Sequence, residues 1–222
     1  MGAAASLTEL AERYLRQTAD LFGGELYVDP VKSSKEIGSS DTLDDFRTEI
    51  CYCLKCPLGS TRTKFVFGVG NPDADLVLIG EAPGKDEDLQ GEPFVGRAGQ
   101  LLDKILAAVN LIRDDVYICN ILKCRPPDNR TPHQDEIDLC IPYLEKQLQL
   151  ISPKLIVALG ATAAQALLKV KTPLGKLRSK IWKWHDVNLV ATYHPAALLR
   201  NASLKRPTWE DFQWIKKMMT GA

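Results

Sequence analysis

The strongest constraint on this chain is an alternation. Four short, continuous apolar runs are separated by stretches whose apolar residues recur at helical spacing. The runs are Asp75-Leu76-Val77-Leu78-Ile79-Gly80, Val116-Tyr117-Ile118-Cys119, Lys154-Leu155-Ile156-Val157-Ala158-Leu159-Gly160 and Asn188-Leu189-Val190-Ala191-Thr192-Tyr193. Runs of this length with a continuous apolar centre read as strands buried on both faces. The stretches between and after them read as helices over 98–110, 132–151, 161–168 and 207–219; in the first, Leu101, Leu102, Ile105 and Val109 share one side. Strands separated by helices form βαβ units, which predicts an α/β fold with a parallel sheet covered on both faces. A shorter strand is expected at Lys64-Phe65-Val66-Phe67, and Trp182 and Trp184 alternate with basic residues as a strand would.

Ahead of this pattern, residues 6–22 read as a helix. Ser6-Leu7-Thr8-Glu9 fits a capping box, and Gly23-Gly24 ends the element. A polar stretch from Lys32 to Thr42 reads as a linker. The expected organisation is therefore an N-terminal helical extension over 1–45 and one domain over 46–222.

Ligands of open parallel sheets bind beyond the carboxyl ends of the strands. The residues there are Gly80-Glu81-Ala82-Pro83-Gly84, Asn120, Gly160-Ala161-Thr162 and His194-Pro195. Each of these also fits ordinary turn chemistry. Their joint position at one sheet edge points to a small polar ligand.

Charge matters here because its sum misleads. The chain has 222 residues, 28 Lys+Arg and 28 Asp+Glu, and a net charge of zero. Residues 34–92 carry a net of −6 and residues 169–222 a net of +8. The basic C-terminal quarter suits a polyanion such as nucleic acid, and equally a solvated basic helix and loop. No stretch reaches about 18 apolar residues, so no transmembrane helix is expected. The first ten residues lack a basic region followed by an apolar run, so no secretory signal is read and a cytoplasmic protein is expected.

Six cysteines lie at 51, 53, 56, 119, 124 and 140. Cys53 and Cys56 form a C-x2-C pair, and Cys124 and Cys140 flank a loop and helix start. Four thiolates from two distant segments can enclose a metal or cluster, and zinc and [4Fe–4S] both accept four cysteines. Four unrelated reduced thiols also fit the spacing. Cys119 falls in a strand and reads as a small buried hydrophobe.

An ordered set of motifs resembles one family. The set begins with Cys53-x2-Cys56-Pro57-Leu58, then Gly80-Glu81-Ala82-Pro83-Gly84 with Glu87-Asp88, then Gly91-Glu92-Pro93-Phe94-Val95-Gly96-Arg97-Ala98-Gly99. It continues with Val116-Tyr117-Ile118-Cys119-Asn120, Lys123-Cys124-Arg125-Pro126-Pro127 with Cys140, and His194-Pro195-Ala196-Ala197-Leu198-Leu199-Arg200. In order and spacing, over residues 46–219, the chain resembles the family 4 uracil-DNA glycosylases, the iron–sulfur type of the uracil-DNA glycosylase superfamily.

The resemblance implies a three-layer α/β/α sandwich with a four-stranded parallel sheet. It implies a structural [4Fe–4S] cluster on Cys53, Cys56, Cys124 and Cys140, which favours the cluster over zinc. It also implies a monomer that removes uracil from single- or double-stranded DNA and leaves an abasic site. Uracil must be flipped from the stack to be reached. Asn120 then matches the residue that reads the pyrimidine edge, Phe94 the aromatic that stacks on it, and His194 the donor to uracil O2. Gly80, Ala82 and Glu87 line the same pocket. In better-known families an Asp or Asn follows the position of Glu81; here Ala82 stands there and cannot polarise water. Either Glu81 or Glu87 takes that role, or the reaction relies mainly on electrostatic stabilisation of a dissociative transition state; the expectation is that Glu81 orients the water or pocket, with Glu87 in support. Leu198, Leu199 and Arg200 are expected at the DNA, one leucine as a wedge and the other in the core. Lys176, Arg178, Lys180 and Lys183 are expected to form the backbone-binding face. A non-catalytic nucleic-acid-binding module with a structural four-cysteine site remains the alternative, as does a hydrolase of free nucleosides.

Overall fold

The computed structural model describes residues 41–220. The helix expected over 6–22 and most of the linker lie outside them. The strands are β1 (Val69–Gly70), β2 (Leu76–Gly80), β3 (Tyr117–Asn120), β4 (Leu155–Leu159), β5 (Trp182–Trp184) and β6 (Val187–Thr192). The helices are α1 (Leu43–Ile50), α2 (Leu58–Thr61), α3 (Lys85–Gln90), α4 (Arg97–Ala108), α5 (Gln134–Ile151), α6 (Ala161–Leu168), α7 (Leu174–Leu177), α8 (Pro195–Arg200) and α9 (Lys205–Thr220).

The sheet has six strands in the order β1-β3-β2-β4-β6-β5. Its inner four are parallel. The two outer strands are antiparallel and extend the expected four-stranded sheet. The segment expected as a strand at 64–67 is not one. Val66 donates its backbone N–H to Lys123 O at 2.9 Å, while Val66 and Phe67 are buried. Phe67 packs instead against Phe46, Ile50 and Tyr143. The boundary expected at residue 46 falls inside α1, whose Phe46 and Ile50 belong to that cluster.

Residues along each inner strand alternate between two cores, as the pleat requires. Val77, Ile79, Cys119, Ile156 and Ala158 face one side, with Leu144 and Leu148 of α5 and Ala163 and Leu167 of α6. Leu76, Leu78, Ile118, Val157 and Val190 face the other, with Leu102 and Leu106 of α4 and Phe212 and Ile215 of α9. This is a three-layer α/β/α sandwich. Every residue of β2, β3 and β4 is buried, which is why the sequence shows runs rather than alternation. No helix among the described residues is long and apolar enough to cross a membrane.

Register decides where the site sits. Gly80 pairs with Asn120 and Leu159 with Thr192, so neighbouring strands end level with one another. The residues after each strand therefore meet at one edge.

Candidate active site and thiol cluster

A cleft of about 580 Å³ opens at that edge, lined among others by Glu81, Glu87, Phe94, Asn120, Tyr193, His194 and Arg200. Asn120 is 2% exposed, and its side-chain Oδ1 is buried without a hydrogen-bond partner among the described residues. A buried acceptor left unpaired costs about 1–3 kcal/mol. That makes it a receptor for a ligand N–H. The buried Lys123 holds the Asn120 backbone from behind, with Nζ donating to Asn120 O at 2.8 Å. Gly80 leaves room for this arrangement, since a methyl group there would run into Asn120 Oδ1 and the Phe94 ring.

Phe94 is 5% exposed and its ring lies against His194, with centroids 5.3 Å apart and planes 29° from parallel. Its backbone is left-handed, at φ 56°. Bulky residues rarely adopt that conformation, and such strain tends to collect at functional sites. Arg113 holds it, donating from Nη1 to Phe94 O at 3.0 Å and from Nη2 to Pro93 O at 2.7 Å. Sequence reasoning missed Arg113, because its partners lie about twenty residues away.

His194 caps the short helix α8, and its Nδ1 accepts the backbone N–H of Ala196 at 3.1 Å. An accepting Nδ1 carries no proton, so the neutral ring bears its proton on Nε2. Burial first, and then the positive charge of Arg200, lowers the His194 pKa to about 4. The ring is therefore neutral at physiological pH, with Nε2–H as a donor. Gly160, at φ +98°, makes the close approach possible: a side chain there would crowd His194 Cβ at 3.1 Å.

The two carboxylates have different surroundings. Glu87 is fully used: Oε2 accepts Gly84 N–H at 3.1 Å, and Oε1 accepts Val95 and Gly96 N–H at 3.0 and 2.9 Å. It fastens the loop after β2 to the loop that carries Phe94. Glu81 is half-buried in the cleft wall, and its side chain has no hydrogen bond or ion pair among the described residues. Ala82 lines the cleft beside it.

The leucines after His194 divide. Leu198 is 3% exposed and Leu199 is 44% exposed. Arg200 is exposed at the cleft mouth. Lys176, Lys180 and Lys183 are exposed, but Arg178 is not part of a free basic face. Its side chain is 13% exposed and bound to Asp211, because a carboxylate 33 residues further on reaches it. His185 sits in the β5–β6 turn against Trp184, and His133 caps α5; neither lines the cleft. The far wall, Pro126 with Asn129, Arg130 and Thr131, was not expected; the Pro126-Pro127 turn is its only sequence signal.

The four cysteines of the two pairs lie near enough to influence one another's charge. Cys124 feels the charge of Cys56 and Cys53, and Cys140 that of Cys124 and Cys53. Burial pushes the Cys140 thiol up to about 12. Donors aim at the sulfurs: Tyr143 Oη reaches Cys53 Sγ at 3.1 Å, and Arg62 Nη1 reaches Cys124 Sγ at 3.3 Å. Arg62 also ties the loop, donating to the Cys51 and Cys53 carbonyls at 2.8 and 2.6 Å. Cys119 is fully buried in the sheet. Among the described residues no three His, Cys, Asp or Glu side chains are gathered as a single ion requires.

Residues 67–216 match the model of the uracil DNA glycosylase superfamily. The chain is 46% identical to a type-4 uracil-DNA glycosylase of Archaeoglobus fulgidus over 186 residues, covering 80% of this chain and 94% of that one. It is 41% identical to the type-4 enzyme of Sulfurisphaera tokodaii over 187 residues, covering 80% and 85%. The type-4 enzyme of Saccharolobus solfataricus is also 41% identical, over 189 residues, covering 81% and 88%.

Proposed function

Because the chain belongs to the uracil DNA glycosylase superfamily, in its type-4 branch, we propose that the cleft at the sheet edge is where uracil is bound and cut from DNA. The protein is a uracil-DNA glycosylase, a repair enzyme that hydrolyses the bond joining uracil to deoxyribose. The observation that carries the placement is the buried, unpartnered Oδ1 of Asn120. It accepts the N3–H of a flipped-out uracil, while the amide N–H₂ donates to O4. Cytosine presents an acceptor at N3 and a donor at C4, the reverse pattern. Phe94 offers its ring to the base.

Breaking the bond leaves negative charge on the base. His194 Nε2–H donates to O2, where that charge develops, and as a neutral donor it brings no positive charge of its own into the ground state. Glu81, whose carboxylate has no partner among the described residues, orients the attacking water. Glu87 holds the two loops that frame it. Glu81→Gln is expected to lower turnover at least tenfold with DNA affinity unchanged. Single-turnover excision beside a binding titration measures both, and near-wild-type turnover would sink this role.

Leu199 is the wedge and Arg200 meets phosphate beside it, in keeping with the exposure of both. Leu199→Ala is expected to slow excision from duplex several-fold, to leave single strands unaffected, and to change stability by less than about 0.5 kcal/mol. Leu198→Ala, a core truncation, should cost about 2–5 kcal/mol of stability.

A [4Fe–4S] cluster on Cys53, Cys56, Cys124 and Cys140 fits the donor set. The four thiols influence one another's charge, and Cys53 and Cys124 receive side-chain hydrogen bonds at sulfur. Such a cluster supplies a covalent clip between the α1–α2 loop and the segment after Asn120, and hydrolysis needs no redox step from it. Purified protein should contain iron and labile sulfide in equal amounts, with both lost in Cys124→Ser; zinc in their place would overturn the assignment. We place the enzyme in the cytoplasm as a monomer acting on single- or double-stranded DNA, with the residues ahead of α1 as an N-terminal extension. Incubation with a uracil-containing oligonucleotide, followed by assay for abasic sites, tests the whole reading. Activity on deoxyuridine alone, or DNA binding without cleavage, would defeat it.

A further inference from the structure

We infer that Asp211 and Arg178 form a buried latch that positions the Tyr193–His194 segment, so that the C-terminal helix α9 belongs to the catalytic apparatus. The inference rests on the role given to His194 above. Strand β6 ends at Thr192, and the next two residues enter the cleft. Thr192 is fully buried, and its Oγ1 donates to Asp211 Oδ2. The same carboxylate pairs with Arg178, whose Nε lies at 2.9 Å. Arg178 Nη2 also donates to Pro207 O at 2.9 Å. The Arg178 guanidinium lies 4.4 Å over the ring of Tyr193, the residue between Thr192 and His194. Side chains from α9 and from the segment after α7 thus fix both residues that precede His194.

Stability alone does not call for this arrangement. The two charged side chains are 13% and 6% exposed. Buried ion pairs often give way to apolar residues of similar size with no loss, or with a gain, in stability. What apolar residues cannot reproduce is direction. The carboxylate sets the end of β6, and the guanidinium plane sets the tilt of Tyr193. His194 must bring Nε2–H to one atom of the substrate, and small misplacements of such a group are costly.

The double variant Arg178→Met/Asp211→Leu separates the two roles. It is expected to lower the thermal midpoint by no more than the stranded Thr192 hydroxyl costs, to lower kcat for uracil excision about tenfold, and to leave KM unchanged. The ¹⁵N signal of His194 Nδ1 should lose the shift of a hydrogen-bonded acceptor. Arg178→Lys keeps the charge without the planar fork and should give an intermediate kcat. If the double variant does not fold, Thr192→Val removes one hydrogen bond to the same carboxylate and should lower kcat about threefold. A folded variant with kcat within twofold of wild type and an unchanged His194 signal would overturn the latch. Wild-type excision by His194→Ala would instead overturn the role of His194, and the latch with it.

Discussion

Asn120→Leu is expected to lower kcat/KM for uracil excision roughly 10³-fold while making the protein more stable. The two effects have one source. Asn120 Oδ1 is buried and unpartnered in the free protein, so the fold carries its desolvation cost of about 1–3 kcal/mol. Leucine has nearly the same shape and no such cost, and the surrounding Gly80 and Phe94 already form an apolar wall. The stability gain should be about 1 kcal/mol. The activity loss follows from removing both hydrogen bonds proposed to read the base edge; a thousandfold corresponds to about 4 kcal/mol of transition-state binding. Thermal unfolding and single-turnover excision measure the two effects separately. A variant that is both less stable and still active would show that Asn120 is a structural residue.

His194→Ala is expected to reduce kcat about 10²–10³-fold, the scale set by other donors to a developing anion, with little change in DNA affinity. Its pH dependence is the sharper test. The His194 pKa is lowered to about 4, so the catalytic neutral form persists well below pH 6. His194 should therefore put no acid limb on the excision rate between pH 8 and about 5, and activity should fall as pH drops through about 4. A protonated ring also loses the Nδ1 lone pair that accepts Ala196 N–H, so the imidazole is released from its cap. Stability follows the same sign. In the unfolded chain the group titrates near 6.5, so between that value and about 4 the unfolded state binds the extra proton. Stabilisation by the neutral ring is complete above about pH 6.5 and is lost as pH falls toward 4. The thermal midpoint of wild type should fall more steeply than that of His194→Ala across this window. An acid limb near pH 6.5 that vanishes in the variant would contradict the enclosed, neutral ring.

Much of this was legible in the sequence because burial on both faces leaves a plain signature. The runs at 76–80, 117–119, 155–159 and 189–191 are apolar throughout, and strand ends in parallel sheets face ligands. That was enough to bring Gly80, Glu81, Asn120 and His194 to one edge. The edge strands were harder: β1 has two residues, and two residues set no period. Phe65 to Phe67 is apolar because it packs on α1 and α5, not because it pairs in the sheet. Roles that depend on distant partners were also hidden. Glu87 reads as a second acid until Gly84, Val95 and Gly96 are seen to occupy both its oxygens. Arg178 reads as one of a basic series until Asp211 covers it. Leu198 and Leu199 cannot be told apart without the phase of α8.

The short helix α8 has a mechanical consequence. It runs six residues, about 9 Å, with the proposed O2 donor His194 capping its start and the exposed Leu199 and Arg200 at its end. Leu198, one residue before the proposed wedge, is seated in the core. A rod that short does not bend between its ends. Given the roles proposed for Leu199 and His194, force from a duplex pressing on Leu199 would reach His194 as tilt, joining the opening of the duplex to the alignment of the donor.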